Sequence, residues 1–225
     1  MAVNKSKGNM FKEFDTWNVV KGECYHNCSY CYCKKIAKRF NKVQKPVRFD
    51  EKELKTNLGS GNSIFVGSSC DMFSDNIPSA WILRVLEHCR KYDNKYLFQT
   101  KNPKKLLNYL DEIPKNSVIG TTIESDMDYD DIMGNSPFVK LRAIHMYDIS
   151  YSFETQITIE PILKFNLSEI VKMIKLTNAS VCYIGADSGK NNLPEPSKEE
   201  ILELIKELSI FTTVKLKSNL NRIIK

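Results

Sequence analysis

The chain has 225 residues, 42% hydrophobic and 27% charged, with few Gly and Pro, so one globular domain over residues 1–225 with a sizeable core is expected. No window approaches 18 uncharged apolar residues, which excludes a membrane span, and the polar start Met1-Ala-Val-Asn-Lys-Ser-Lys-Gly8 lacks the apolar stretch of a signal peptide. The net charge of +6 and pI near 8.8 permit a nucleic-acid partner without requiring one. A cytoplasmic protein is expected, and its odd count of seven cysteines then argues against a disulfide framework.

Taken in order, residues 17–20 read as a first strand. It leads into Cys24-Tyr-His-Asn-Cys28-Ser-Tyr-Cys31, a C-x₃-C-x₂-C run with Tyr30 before the last thiol. Apolar residues at 36, 37, 40 and 43 have helical spacing, and Pro46 ends that helix. Much of the chain's basic excess is local to it: Lys34, Lys35, Lys38, Arg39 and Lys42, with Lys45 just beyond. A helical turn or two is expected over 51–58, then a turn at Gly59-Ser-Gly-Asn62. Residues 63–67 form a buried strand, followed by the loop Ser68-Ser-Cys-Asp-Met-Phe-Ser-Asp75.

Pro78 opens a helix with Trp81, Ile82, Val85, Leu86 and Cys89 on one face. A strand over 95–99 is followed by a helix begun at 100–103, then by a strand over 117–123 ending at Glu124. Residues 125–136 read as an irregular acidic loop, solvated or facing substrate. Its Asp-x-Asp-x-Asp lacks the Gly and Glu of a calcium loop. A helix with a structural His145 is expected over 137–150, and a strand over 156–160 stopped by Pro161. The helix at 167–176 takes Ser168 as its expected cap. A strand over 180–185, a helix opened by the capping box Ser197-Lys-Glu-Glu200 and a last strand over 212–216 complete the chain.

Strand–helix alternation from end to end means a parallel sheet covered by helices, an α/β fold. Six to seven strands fit a partial (βα) barrel, and the site then lies at the carboxyl ends of the strands. The cysteine loop falls on that face. Polar residues follow the other strands there: Ser68, Ser69, Asp71, Gln99, Thr100, Lys101, Thr122, Glu124, Glu160, Asp187, Ser188, Lys190, Lys217 and Asn219. Glu160, between Ile159 and Pro161, needs a partner for its carboxylate. Cys70, Cys89 and Cys182 read as packed small hydrophobes, and Cys33 as either a bystander or an alternative ligand.

Three thiolates on one loop satisfy three corners of a four-iron cluster and leave one iron open. Structural zinc needs a fourth ligand, His26 or Cys33, and the second cysteine pair of a ribbon is absent. A redox pair, Cys28-x-x-Cys31, leaves Cys24 unexplained.

With its aromatic at Tyr30 and its place after the first strand of a βα repeat, the motif resembles the radical S-adenosylmethionine superfamily. The resemblance implies a 4Fe-4S cluster on Cys24, Cys28 and Cys31, with S-adenosylmethionine chelating the fourth iron. An electron, from a donor such as flavodoxin or ferredoxin, then cleaves the sulfonium and leaves a 5′-deoxyadenosyl radical that abstracts hydrogen from substrate. It implies cofactor contacts from Tyr30, Tyr32, Ser68, Ser69, Thr100, Lys101, Thr122 and Glu124. Asp71, Gln99, Glu160 and Asp187 would meet substrate, with Glu124 and Glu160 in catalytic positions. Gly67-Ser-Ser-Cys-Asp71 departs from the family pattern, because no carboxylate stands where the methionine amine is usually met. For the substrate, the expectation is a deazaguanine-like base, cleaved as by queuine lyase. The alternatives are DNA, as for the spore-photoproduct-lyase type, and a non-catalytic iron–sulfur or zinc module that grips nucleic acid.

Overall fold

A computed structural model describes Phe11, residues 13–189 and residues 191–225. The polar stretch 1–8 and Lys190 lie outside the described residues. The elements in order are β1 (Asp15–Trp17), β2 (Val20–Lys21), α1 (Tyr32–Arg39), β3 (Arg48–Phe49), β4 (Ser63–Val66), α2 (Ser79–Arg90), β5 (Lys95–Gln99), α3 (Pro103–Leu106) and β6 (Ser117–Thr122). They continue with α4 (Asp130–Met133), α5 (Val139–Ser150), β7 (Glu154–Ile159), α6 (Leu167–Leu176), β8 (Val181–Ile184), α7 (Lys198–Leu208), β9 (Thr213–Leu216) and α8 (Asn221–Ile224). Short 3₁₀ turns occupy Glu53–Lys55, Leu107–Tyr109 and Ser218–Leu220.

Seven strands form one parallel sheet in the order β1-β4-β5-β6-β7-β8-β9, with every neighbouring pair parallel. The two ends of that order are not joined, so the α/β barrel is partial, as the alternation predicts. Strand periodicity sorts the side chains onto two faces. Tyr96, Phe98, Ile119, Ile157, Ile159, Cys182 and Ile184 pack with helix residues such as Ile82, Met146 and Leu204. Phe65, Leu97, Val118 and Tyr183 point the other way and cluster with Phe11 and Phe14, which fill that inner face. Phe11 lies edge-on to Tyr183 at 4.9 Å and to Phe65 at 5.7 Å.

Three local expectations are corrected. The first strand ends at Trp17, and residues 20–21 instead form an antiparallel ribbon with β3. Helix α1 stops at Arg39, capped at Phe40, because its apolar face finds nothing to pack against and none of its residues is buried. The cap of α6 is Asn166, whose side chain accepts the Glu169 N–H; the Ser168 hydroxyl bonds Asn166 instead. Cys70 packs in the hydrophobic core as expected, and it also neighbours the Cys24 thiol. The Ser197 capping box forms with both of its bonds. Among the described residues, no helix is long and apolar enough to cross a membrane.

Candidate active site

The cysteine loop lies over the carboxyl ends of the sheet and is fixed from three sides. Beneath it, the nearly buried His26 meets Asp71 at 2.8 Å through Nε2. The same Asp71 oxygen accepts from the Thr100 hydroxyl at 2.9 Å and the Lys101 N–H at 2.8 Å, and its second oxygen accepts from the Phe73 N–H. Burial opposes ionisation of this carboxyl, but the His26 bond and the backbone donors outweigh it and hold Asp71 below the usual aspartate range. Asp71 and Thr100 therefore tie the loop to the ends of β4 and β5.

From the side, the acidic loop after β6 clamps the cysteines. Ser29 N–H donates to the Ile132 carbonyl at 2.9 Å, Asn135 N–H to the His26 carbonyl at 2.8 Å, and the Asn135 amide to the Tyr25 carbonyl. The Cys28 thiol donates to the Met133 carbonyl at 3.4 Å. Gly134 adopts φ +61°, and a Cβ there would stand 2.2 Å from the His26 carbonyl oxygen. This segment was expected to be solvated or to face substrate; its backbone is spent on holding the loop.

From above, α1 reaches across. Tyr32 donates its hydroxyl to the Ser68 carbonyl at 2.8 Å, the Cys33 thiol to the Ser69 carbonyl at 3.4 Å, and Lys35 to the Gly189 carbonyl. Asn18 gathers both serines: its carbonyl accepts from the Ser69 N–H and hydroxyl, and its amide donates to Ser68.

The thiols are chemically unequal. Cys24 neighbours the Cys70 thiol, whose interaction favours the Cys24 thiolate and brings it down to about 6. The neighbouring Cys33 likewise favours the Cys31 thiolate, also down to about 6. Cys33 and Cys70 move up in turn, driven by the neighbouring thiolate and by burial. Among the described residues, no three ligating side chains converge as a single ion requires. A four-iron cluster makes a different demand, because each of its thiolates binds a separate iron. A donor set of thiols, two of them primed as thiolates, on one braced loop suits that group.

A buried charge network lies below. Glu124 is fully buried and binds Tyr30, Lys101 and Arg142, the last at 2.9 Å. Arg142 is equally buried and also donates to the Thr122 and Pro137 carbonyls. Burial would raise the Glu124 carboxyl, but Lys101 and Arg142 overcome it and hold it far below the glutamate range. Burial, reinforced by the Glu124 charge, drives the Tyr30 phenol upward, so it stays protonated and donates.

The inner face turns polar towards this end. Gln99 donates to the Thr122 hydroxyl at 3.2 Å. Glu160 pairs with Lys217 at 2.9 Å and accepts from the Asn219 amide at 2.6 Å, joining the ends of β7 and β9. Its carboxylate leaves no room for a side chain at Gly185, where a Cβ would sit 2.8 Å away. Gln156 Nε2, Thr158 Oγ1 and Asn219 Oδ1 are buried on this side and have no hydrogen-bond partner among the described residues. Such atoms are costly inside a protein and mark a place where a polar ligand would be received. Asp187 does not join them. It accepts from Gly189 and Asn191 within its own loop, and its N–H donates to Glu195.

The structure thus brings the sequence-selected residues into four groups: Tyr30, Lys101 and Glu124; Asp71 with Thr100; Gln99 with Thr122; and Glu160 with Lys217 and Asn219. Sequence reasoning missed Asn18, His26 as a brace, Cys70 and Arg142. Only Arg142 carried a signal, as a charge in an otherwise apolar helical stripe.

A family model described as a protein of unknown function, DUF5131, matches residues 11–207. The chain belongs to this family. No curated protein matches the DUF5131 chain. Among solved structures, a cysteine-to-serine mutant of spore photoproduct lyase matches with a TM-score of 0.64 and 12% identity, over 96% of this chain and 79% of that one. The similarity shows a shared fold.

Proposed function

We propose that this protein is a radical S-adenosylmethionine enzyme whose 4Fe-4S cluster is held by Cys24, Cys28 and Cys31. The observation that carries the reading is the C-x₃-C-x₂-C loop braced over the carboxyl end of a seven-stranded partial barrel. Bound there, the cluster and S-adenosylmethionine would supply one-electron cleavage of the sulfonium and hydrogen abstraction.

The chain's own part is support and reception. Asp71 and His26 fix the loop from below, and Gly134 and Asn135 fix it from the side. Cys70 and Cys33 favour the ligating thiolates of Cys24 and Cys31. Backbone at Tyr30 and Tyr32, with Ser68, Ser69, Thr100, Lys101 and Thr122, lines the side where the cofactor is expected. Glu124 holds Tyr30 and Lys101 in place, so its role is to organise the site and its carboxylate is not available as a base. Substrate would enter against Gln99, Gln156, Thr158, Glu160 and Asn219.

The deazaguanine reading, queuine lyase in its sharpest form, needs carboxylates to receive the N–H edge of a base. Glu124, Glu160, Asp71 and Asp187 are each engaged within the protein, so the unpartnered acceptors for that reading are the Thr158 hydroxyl and the Asn219 side-chain carbonyl, with Glu160 beside them. The test is anaerobic reconstitution with iron and sulfide. The expected product holds four irons per chain and shows a visible band bleached by dithionite, and Cys24→Ala, Cys28→Ala and Cys31→Ala each lose it. One zinc in place of iron would overturn the reading.

A further inference from the structure

We infer that the segment from Tyr32 to Lys45 is a binding surface for single-stranded nucleic acid, laid across the mouth of the barrel. The inference goes beyond the radical reading and does not depend on it. Six of the 33 basic residues lie in this stretch with no acid among them, and the other 27 are matched in number by the chain's 27 acids. The whole formal net charge of +6 therefore sits in fourteen residues. Among the described residues, none of the six pairs with a carboxylate. Lys34 and Lys35 bond only to backbone carbonyls. Uncompensated cations at this density favour a polyanion.

Apolar exposure on the same segment narrows the partner. Ile36 is 50% exposed, Phe40 60% and Val43 90%. Arg39 and Lys42 flank the Phe40 ring, each 5.8 Å from its centroid. A solvated helix face explains the lysines but leaves an open aromatic among them without a purpose. Phosphates on Lys and Arg with a base stacked on an aromatic ring is how single strands are gripped without sequence preference. An anionic membrane would also accept cations beside apolar residues. Here, however, the helix has only eight residues and is pinned to the protein at Tyr32, Cys33 and Lys35. A strand lying on α1 would pass over the cysteine loop, where an unstacked base could turn into the barrel.

The test is fluorescence anisotropy of a labelled oligothymidylate of about 16 nucleotides, with its ribose counterpart in parallel, using the full chain without iron. Binding is expected to weaken steeply with salt. Combined Lys38→Glu, Arg39→Glu and Lys42→Glu should weaken it at least tenfold and reduce the slope of log K against log salt by about 2. Phe40→Ala should weaken it about fivefold or more and leave that slope unchanged. Thermal unfolding of both variants should match the parent, since none of these side chains is buried. No binding to either oligonucleotide at low salt, or charge reversal without effect, would overturn the inference. So would capture by phosphatidylserine vesicles with no binding of either oligonucleotide. Failure of iron loading would leave all of these results standing.

Discussion

Glu124 shows how one side chain sets the site. It has no exposure to water, and its two oxygens serve a lysine, an arginine and a phenol drawn from three different segments. Removing its charge strands two cations, one of them fully buried, so Glu124→Gln should destabilise the fold by about 3–5 kcal/mol at neutral pH, read by urea unfolding. The pH dependence follows from the depressed carboxyl. The unfolded carboxylate takes up a proton near pH 4.3 that the folded one refuses, so the contribution is complete above about pH 4.3 and is lost as pH falls through the folded value. The gap between parent and variant should therefore narrow steadily below about pH 4.3. A gap that stays constant there would mean that the network does not depend on an ionised Glu124.

At the scale of elements, the cysteine loop is shaped by what clamps it. Gly134→Ala would force a side chain into a left-handed backbone and against the His26 carbonyl. The expected cost is about 1–3 kcal/mol, with faster amide exchange at residues 24–31 and little change in β5 or β6. Uniform exchange across the sheet would show that the loop and the clamp are independent. This coupling was not legible in the sequence: Gly134 and His26 lie over one hundred positions apart, and the run of aspartates reads as solvent-facing. The strands and the α7 capping box were legible, because alternation and capping are local. Helix α1 was legible as a helix but not in its extent, since periodicity at 36, 40 and 43 predicts a buried face and here that face meets water. Cys70 was legible as a packed core residue, but an isolated cysteine carries no signal of the thiol it will meet.

At the scale of the molecule, a parallel sheet puts every strand's exit on one end, so residues from Asn18 to Asn219 assemble around one loop. The inner face is apolar where Phe11 and Phe14 fill it and polar beneath the cysteines. A cleft of about 480 Å³ lined by Lys95, Lys115, Glu154 and Ser180 opens at the opposite, amino end and shares no residue with the site. How the strands would align was legible from βα alternation, and the cysteine loop's place at their carboxyl ends followed. The triad of Glu160, Lys217 and Asn219 needed the sheet to bring β7 and β9 into reach. The account's central claim is that this loop cleaves S-adenosylmethionine reductively. The most direct measurement is 5′-deoxyadenosine released by the reconstituted chain with dithionite and S-adenosylmethionine under anaerobic conditions. The account predicts this product from the parent and its absence from Cys31→Ala; a chain holding four irons that releases none would contradict it.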